Sequence, residues 1–296
     1  MKKILSILLF YSFSAPLFSQ SKTVVFQTDF GLKDGAVSAM KGVAMGVDPT
    51  LRLFDLTHEI PAYNIWEAAY RLEQTAVYWP KGTVFVSVVD PGVGTERKSV
   101  VLKTKSGHFF VGPDNGTFTL IAESLGIGEV HEINEALNRR QNSQASYTFH
   151  GRDVYAYTAA RLAAGVITLA QAGKRLPDEV VKIPYQKAVF DGKTLAGAIP
   201  ILDVQYGNVW TNISADLFKK LNVSAGQKVK VTIWENEKTV FQGEVPFAHT
   251  FGEVPEGMVM GYFNSLMNFS LAINRGDFSA KYGIKSGPGW KIKVEK

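Results

Sequence analysis

From Thr23 onward, strand-like and helix-like stretches alternate, and this alternation constrains the fold more than any other feature of the chain. Thr23–Thr28 (TVVFQT) is an apolar, β-branched run that ends in Asp29 and, two residues on, Gly31, the pattern of a strand buried on both faces. Ala36, Val37, Met40, Val43, Ala44 and Val47 then recur at helical spacing until Asp48-Pro49 stops them. A second short strand is read over 51–55. Ile65, Ala68, Ala69, Leu72, Ala76 and Tyr78 outline an amphipathic helix, and a third strand covers 83–89. This β-α-β-α-β order predicts an α/β domain with a mostly parallel sheet over residues 22–187. Beyond Lys187 the texture becomes short β-rich runs at 196–204, 209–213, 228–234, 239–245, 258–263 and 290–294, punctuated by Gly and Asn. With no long helical period between them, they predict a second, all-β, barrel-like domain over 194–296, with the linker at 185–193.

The N-terminus reads differently. Met1-Lys2-Lys3 followed by an apolar run from Ile4 to Phe18 has the form of a signal peptide over 1–20, too short for a comfortable membrane span, and predicts export to the periplasm with no membrane attachment after cleavage. The 296 residues carry a formal charge of +5, two of which are Lys2 and Lys3, and the remaining basic residues are scattered. That pattern argues against a nucleic-acid partner. The absence of cysteine removes disulfides, thiolate metal sites and a cysteine nucleophile, and no two of the five histidines have H-x-x-x-H spacing, so no metal is expected.

Ligands of open α/β sheets sit beyond the carboxyl ends of the strands, which gives priority to the polar residues after each apolar run. The first run ends in Thr28-Asp29-Phe30-Gly31 with Asp34 close behind, the second in Asp55-Leu56-Thr57-His58-Glu59, the third in Asp90-Pro91-Gly92-Val93-Gly94. Asp29 and Asp34 flank a turn into a helix, where a carboxylate can accept from a ribose diol or an ammonium group; Asp34 is equally placed to cap the helix. In DPGVGTER (90–97) two glycines allow close backbone approach and Arg97 can return its guanidinium to Asp90, as a site element or as a structural ion pair. His150, in TFHGRD, stands at the start of an amphipathic helix, where a lone histidine is either structural or a proton acceptor. In the second domain, Asn208 and Trp210 suit a flat heterocycle, the amide reading its edge and the ring stacking on it, or else form a turn with a core tryptophan.

Taken together, these segments resemble the S-adenosylmethionine hydroxide adenosyltransferase family, relatives of the fluorinating and chlorinating enzymes that act on the same substrate. The resemblance runs from about Thr23 to Val294 and rests on TDFG at 28–31, Asp34, MKG at 40–42, DLTHEIPA at 55–62, VVDPGVGTER at 88–97, GPDNG at 112–116, TFHGRD at 148–153, GNVWTN at 207–212 and NS at 264–265. It implies hydrolysis of S-adenosyl-L-methionine to adenosine and methionine, with the attacking water held by Asp90, Arg97 and His150. It further implies that Asp29 binds the ribose hydroxyls, Asp34 the methionine ammonium, Asn208 and Trp210 the adenine, and Ser265 the methionine carboxylate. No cofactor is implied, since the adenosyl compound is the substrate. The resemblance also implies a homotrimer with the site between the N-terminal domain of one subunit and the C-terminal domain of the next. Where the family pattern often continues Asn-Ser with a basic or aromatic residue and glycine, this chain has Leu266-Met267. Two other readings are a halogenase of the same fold and an exported, non-catalytic protein that binds an adenosyl ligand.

Overall fold

The structure, a computed structural model, describes residues 21–296, so the leader read over 1–20 lies outside the described residues. The N-terminal region is organised by a seven-stranded sheet of β1 (Thr23–Thr28), β2 (Arg52–Thr57), β3 (Val84–Val88), β4 (Ser99–Thr104), β5 (Phe109–Pro113), β6 (Ile127–Ile133) and β7 (Gly173–Leu176), in spatial order β2-β1-β3-β5-β4-β6-β7. Pairing is parallel from β2 through β5 and antiparallel from β5 to β7, so five of the seven strands run in one direction and the sheet is mixed, mostly parallel. The alternation read from the sequence accounts for the parallel half. The antiparallel half forms because β4 and β5 are joined by a tight turn at 105–108, too short for a crossover helix.

Helices cover both faces, as the two-sided burial of β1 requires. On one face, Val24 and Phe26 of β1 and Val84, Val86 and Val88 of β3 pack with Met40 and Ala44 of α1 (Ala36–Val47) and with Val154, Tyr155 and Ala159. On the other, Val25 and Phe85, one residue out of phase, meet Leu72 and Ala76 of α2 (Ile65–Ala76) and Phe118 and Ile121 beside α3 (Thr119–Ser124). Phe85 and Phe110 are fully buried and stacked, with centroids 4.9 Å apart, each burial worth about 1.5–3 kcal/mol. Asn64 starts α2 by accepting from the backbone N–H of Glu67. Three further helices, α4 (Glu135–Asn138), α5 (Tyr157–Ala163) and α6 (Leu169–Ala172), follow β6, and α5 is entered through a π-helical turn over Gly151–Ala156.

The C-terminal region contains β8 (Val189–Phe190), β9 (Thr194–Ala198), β10 (Ile201–Asp203), β11 (Asn208–Ser214), β12 (Lys228–Glu235), β13 (Lys238–Pro246), β14 (Val259–Phe263), β15 (Asn268–Ile273) and β16 (Trp290–Glu295). All pair antiparallel, in one sheet of order β10-β11-β15-β14 and another of order β13-β12-β16-β9-β8. Against the barrel-like expectation, neither sheet closes on itself. The run read as one strand over 196–204 divides at Ile199-Pro200, where proline removes a ladder donor, and its two pieces join different sheets. Val229, Val231 and Ile233 of β12 and Ile292 and Val294 of β16 face Val209, Phe269 and Leu271 across the shared core. Trp66 and Arg71 of α2 reach this region, donating to the carbonyls of Pro200 (2.8 Å) and Leu202 (3.2 Å), while Tyr70 packs with Ile201 and Trp210.

Candidate active site

Because β1, β3 and β6 point the same way, their carboxyl ends share one rim of the sheet, and β4, running oppositely, begins there. Asp29 follows β1, Asp90 follows β3, Glu135 follows β6, and Ser99 opens β4. Topology therefore delivers three carboxylates and a hydroxyl to one edge from stretches far apart in sequence. Asp55 does not join them. It lies inside β2 and binds Lys41 (2.6 Å) and His58 (2.8 Å), and His58 in turn meets the buried Thr28 hydroxyl at 2.8 Å. This chain and the bond from Gly31 N–H to the His58 carbonyl (2.7 Å) pin the turn that carries Asp29.

The DPGVGTER loop is a pair of tight turns. Val93 N–H donates to Asp90 and Thr95 N–H to Gly92, and Gly94 takes φ +80°, a region open to glycine and costly for other residues. The loop thereby brings Arg97 back onto Asp90. Its Nε lies 3.0 and 3.1 Å from the two carboxylate oxygens and its Nη2 2.6 Å from Oδ2, with the side chains of Asp90 and Arg97 only 5% and 12% exposed. Burial alone would lower the Arg97 pKa, but the hydrogen bonds it donates to Asp90 reverse this and raise it. The other face of the guanidinium donates to Ser99 Oγ at 2.9 Å, and Ser99 donates to Glu135 Oε1 at 2.9 Å.

His150 immediately precedes the π turn, a distortion that favours functional positions. Gly151 explains how the ring gets so close to the sheet, since a Cβ there would lie 3.3 Å from Val88 Cγ1 and 3.4 Å from the Phe30 ring. Nε2 of His150 faces α4, 3.2 Å from Arg139 Nη2 and 3.4 Å from Glu135 Oε2, while Nδ1 is buried and meets no hydrogen-bond partner among the described residues. The hydrogen bond from His150, opposed by burial and assisted by Ser99 and Arg139, holds the Glu135 carboxyl down at about 2. Asp29, Asp90 and His150 line one cavity of about 240 Å³ together with Phe30, Tyr63 and Phe149. Tyr63 adopts φ +67° there and donates its N–H to Asp29 Oδ2 at 2.9 Å, leaving the second oxygen to a ligand. The arrangement presents a fixed anion and an imidazole to whatever enters, and offers a water both an acceptor and a base.

The remaining predicted residues lie elsewhere. Asp34 is exposed and accepts from Ala36 N–H at 2.9 Å, at the start of α1. Asn208, Trp210 and Ser265 line a second cavity, of about 820 Å³, which shares no lining residue with the first. Asn208 is buried and donates to Asp203 Oδ2 at 3.1 Å; Trp210 is 8% exposed; Ser265 is exposed. Leu266 packs onto the Tyr70, Ile201 and Trp210 cluster, and Met267 takes φ +58° in the turn into β15. Sequence reasoning missed Tyr63, Glu135, Arg139 and, in the second cavity, Asp203. Glu135 carries one sequence signal, a carboxylate two residues beyond the apolar end of β6, but that signal is informative only with the direction of the strand.

A family model described as SAM hydroxide adenosyltransferase N-terminal domain matches residues 24–173, and its C-terminal counterpart matches 197–291. The chain is 40% identical over 197 residues to a protein of Methanocaldococcus jannaschii named (R)-S-adenosyl-L-methionine hydrolase, covering 65% of this chain and 67% of that one. It is 33% identical to a Salinispora tropica protein of the same name, covering 92% and 97%, and 28% identical to a Nocardia brasiliensis fluorinase, covering 92% and 96%. A crystal structure of a conserved protein from Thermotoga maritima superposes with a TM-score of 0.84 at 36% identity, covering 92% of this chain and all of that one. With both domain models matched in order across most of its length, the chain belongs to the SAM hydroxide adenosyltransferase family.

Proposed function

We propose that this protein is an enzyme that hydrolyses S-adenosyl-L-methionine to adenosine and L-methionine by attack of water at the ribose C5′. The observation that carries the reading is the convergence of Asp90, His150 and Asp29 on one cavity, with Asp90 clasped by Arg97. The leaving group is a neutral thioether and needs no proton, so the barrier lies in making water nucleophilic. Asp90, both oxygens engaged by Arg97, is held in one orientation as a fixed anion. It orients the water together with Arg97, and His150 takes the proton. A positioned base of this kind contributes about 10²- to 10⁴-fold, which sets the loss expected in kcat for His150→Ala. Asp29 holds the ribose diol through the oxygen that Tyr63 leaves free, Asp34 the methionine ammonium, Asn208 and Trp210 the adenine, and Ser265 the methionine carboxylate.

The separation of the two groups of residues into two cavities supports a homotrimer whose sites are completed between subunits, each N-terminal domain facing a neighbour's C-terminal domain. The Lys2-Lys3 pair and the apolar run behind it support export to the periplasm, which cell fractionation of the tagged full-length chain checks. Turnover of S-adenosyl-L-methionine in ¹⁸O-water tests the reaction directly. Label in the 5′-hydroxyl of the adenosine is the expected result; unlabelled adenosine excludes water attack. The same incubation in chloride- and fluoride-rich buffer would yield 5′-halo-adenosine if the chain shared the chemistry named for its fluorinase relatives, and prolonged tight binding without product would mark a binding protein.

A further inference from the structure

We propose that Glu135 is a positioning residue that makes Nδ1 of His150 the proton acceptor, by holding the proton on Nε2. This rests on the hydrolytic reading above, in which His150 receives the proton from water, and specifies which ring nitrogen does so and what makes it competent. Two groups compete for Nε2: the Glu135 carboxylate at 3.4 Å and the Arg139 guanidinium at 3.2 Å. They demand opposite tautomers. A guanidinium only donates, so a bond from Arg139 needs a lone pair on Nε2 and sends the ring proton to Nδ1; a carboxylate only accepts, so a bond to Glu135 needs Nε2–H and leaves the lone pair on Nδ1.

Three observations favour Glu135. Nδ1 is buried without a partner among the described residues, and a proton there would be a buried orphan donor, whereas a lone pair is what an incoming water requires. Arg139 does not need His150, because it already donates to Glu135 Oε2 at 2.8 Å and to the Ser146 carbonyl at 3.2 Å. Lastly, Glu135 is held ionised, with Ser99 donating to its other oxygen at 2.9 Å. In the reaction an O–H bond of water breaks and its proton goes to Nδ1. The oxygen electron pair forms the bond to C5′, and the C5′–S pair leaves on sulfur as the neutral thioether. One positive charge thus disappears from the sulfonium as one appears on the imidazole, and Glu135 is the anion within reach of that imidazolium's Nε2–H. The other groups around the ring are Arg139, which caps the C-terminus of α4, Tyr155 from the π turn with ring centroids 6.5 Å apart, and Asp90 and Asp29 around the cavity, with Arg97 behind Asp90.

The test combines a ring measurement with a pH profile. Histidine ring ¹⁵N–¹H correlation spectra of the substrate-free enzyme, assigned with His150→Ala, are expected to show His150 as the Nε2–H tautomer; an Nδ1–H tautomer overturns the proposal. For Glu135→Gln, kcat falls about 10²-fold with KM within about twofold, and the acid limb of the kcat profile moves down by about one to two pH units because the imidazolium has lost its counter-charge. Arg139→Gln removes a like charge and moves the same limb up. A Glu135→Gln enzyme whose limb stays in place while kcat falls has lost structure alone and contradicts the proposal. If that variant melts far below wild type, the spectrum of the unaltered enzyme still decides. A wild-type protein that releases no adenosine defeats the hydrolytic reading itself, whereas an active wild type with the Nδ1–H tautomer defeats only the role of Glu135.

Discussion

At the scale of single residues, the Asp90–Arg97 pair is best judged by its surroundings. Exposed ion pairs are worth about 0–1 kcal/mol, whereas removing one partner of a buried pair costs about 3–5 kcal/mol. With side chains 5% and 12% exposed and three close N···O contacts, this pair belongs to the second class. Arg97→Ala should therefore lower the unfolding free energy by about 3 kcal/mol, read from the shift of the urea midpoint. Arg97→Lys should recover only part of it, because an ammonium cannot grip both oxygens; a loss below about 1 kcal/mol in the alanine variant would place the pair with ordinary surface bridges. Glu135 makes a pH prediction. Its folded pKa of about 2 lies below the ordinary 4.5, so the stability it contributes is present above pH 4.5 and is lost as pH falls toward 2. Allowing for solvent screening of a third-exposed group, this is on the order of 1–2 kcal/mol. The stability gap between wild type and Glu135→Gln, measured by urea titration, should be fully open at pH 6 and closed near pH 2. Asp90 and Arg97 were legible in the sequence because only six residues, two of them glycines, separate them in one loop. Glu135 was not, since its Ser99 partner is 36 residues away and only strand direction brings the two together.

At the scale of elements, the sequence patterns that proved readable were those with one dominant period. β1, α1, α2 and β3 emerge within a residue or two of their observed limits because buried positions recur every residue in a central strand and every three or four in a helix covering it. β15 escaped notice although it is the interior partner of both β11 and β14, because six residues of NFSLAI beside a turn carry no period long enough to separate strand from helix. β6 escaped because Glu129 on one face and Glu132 on the other break up its apolar positions. The element that most shapes the site, the π turn after His150, leaves no pattern except Gly151. Replacing Gly151 by alanine would ordinarily stabilise a helical position by up to about 1 kcal/mol. Here the new methyl would press on Val88 and Phe30 at 3.3–3.4 Å, and overpacking costs about 1–3 kcal/mol. The packing term is the larger, so Gly151→Ala should be less stable than wild type and, because Phe30 and Val88 also line the cavity, should lose activity as well. A melting temperature above that of wild type would show that the turn has room to relax.

At the scale of the molecule, the division of the proposed binding residues between two cavities makes a prediction about assembly. Asp29, Asp90 and His150 belong to the sheet domain; Asn208, Trp210 and Ser265 belong to the β domain and open onto a different space. If a complete site forms only where the first set of one subunit meets the second set of a neighbour, two inactive variants should complement each other. Asp90→Ala spoils the sheet side and Trp210→Ala the β side, and neither homo-oligomer retains an intact pair. In oligomers co-expressed from equal amounts of both, each interface has an even chance of receiving a sound half from either side, so about a quarter of the sites should be intact in a closed ring of identical contacts. Turnover near that fraction of wild type, carried by particles of trimer mass in light scattering, is the outcome that the inter-subunit arrangement requires. Should the mixed oligomers form at that mass and remain as inactive as either parent, each chain must close its own two cavities together, and the segment to examine would be the α2 contact with Pro200 and Leu202 that fixes the two domains against each other.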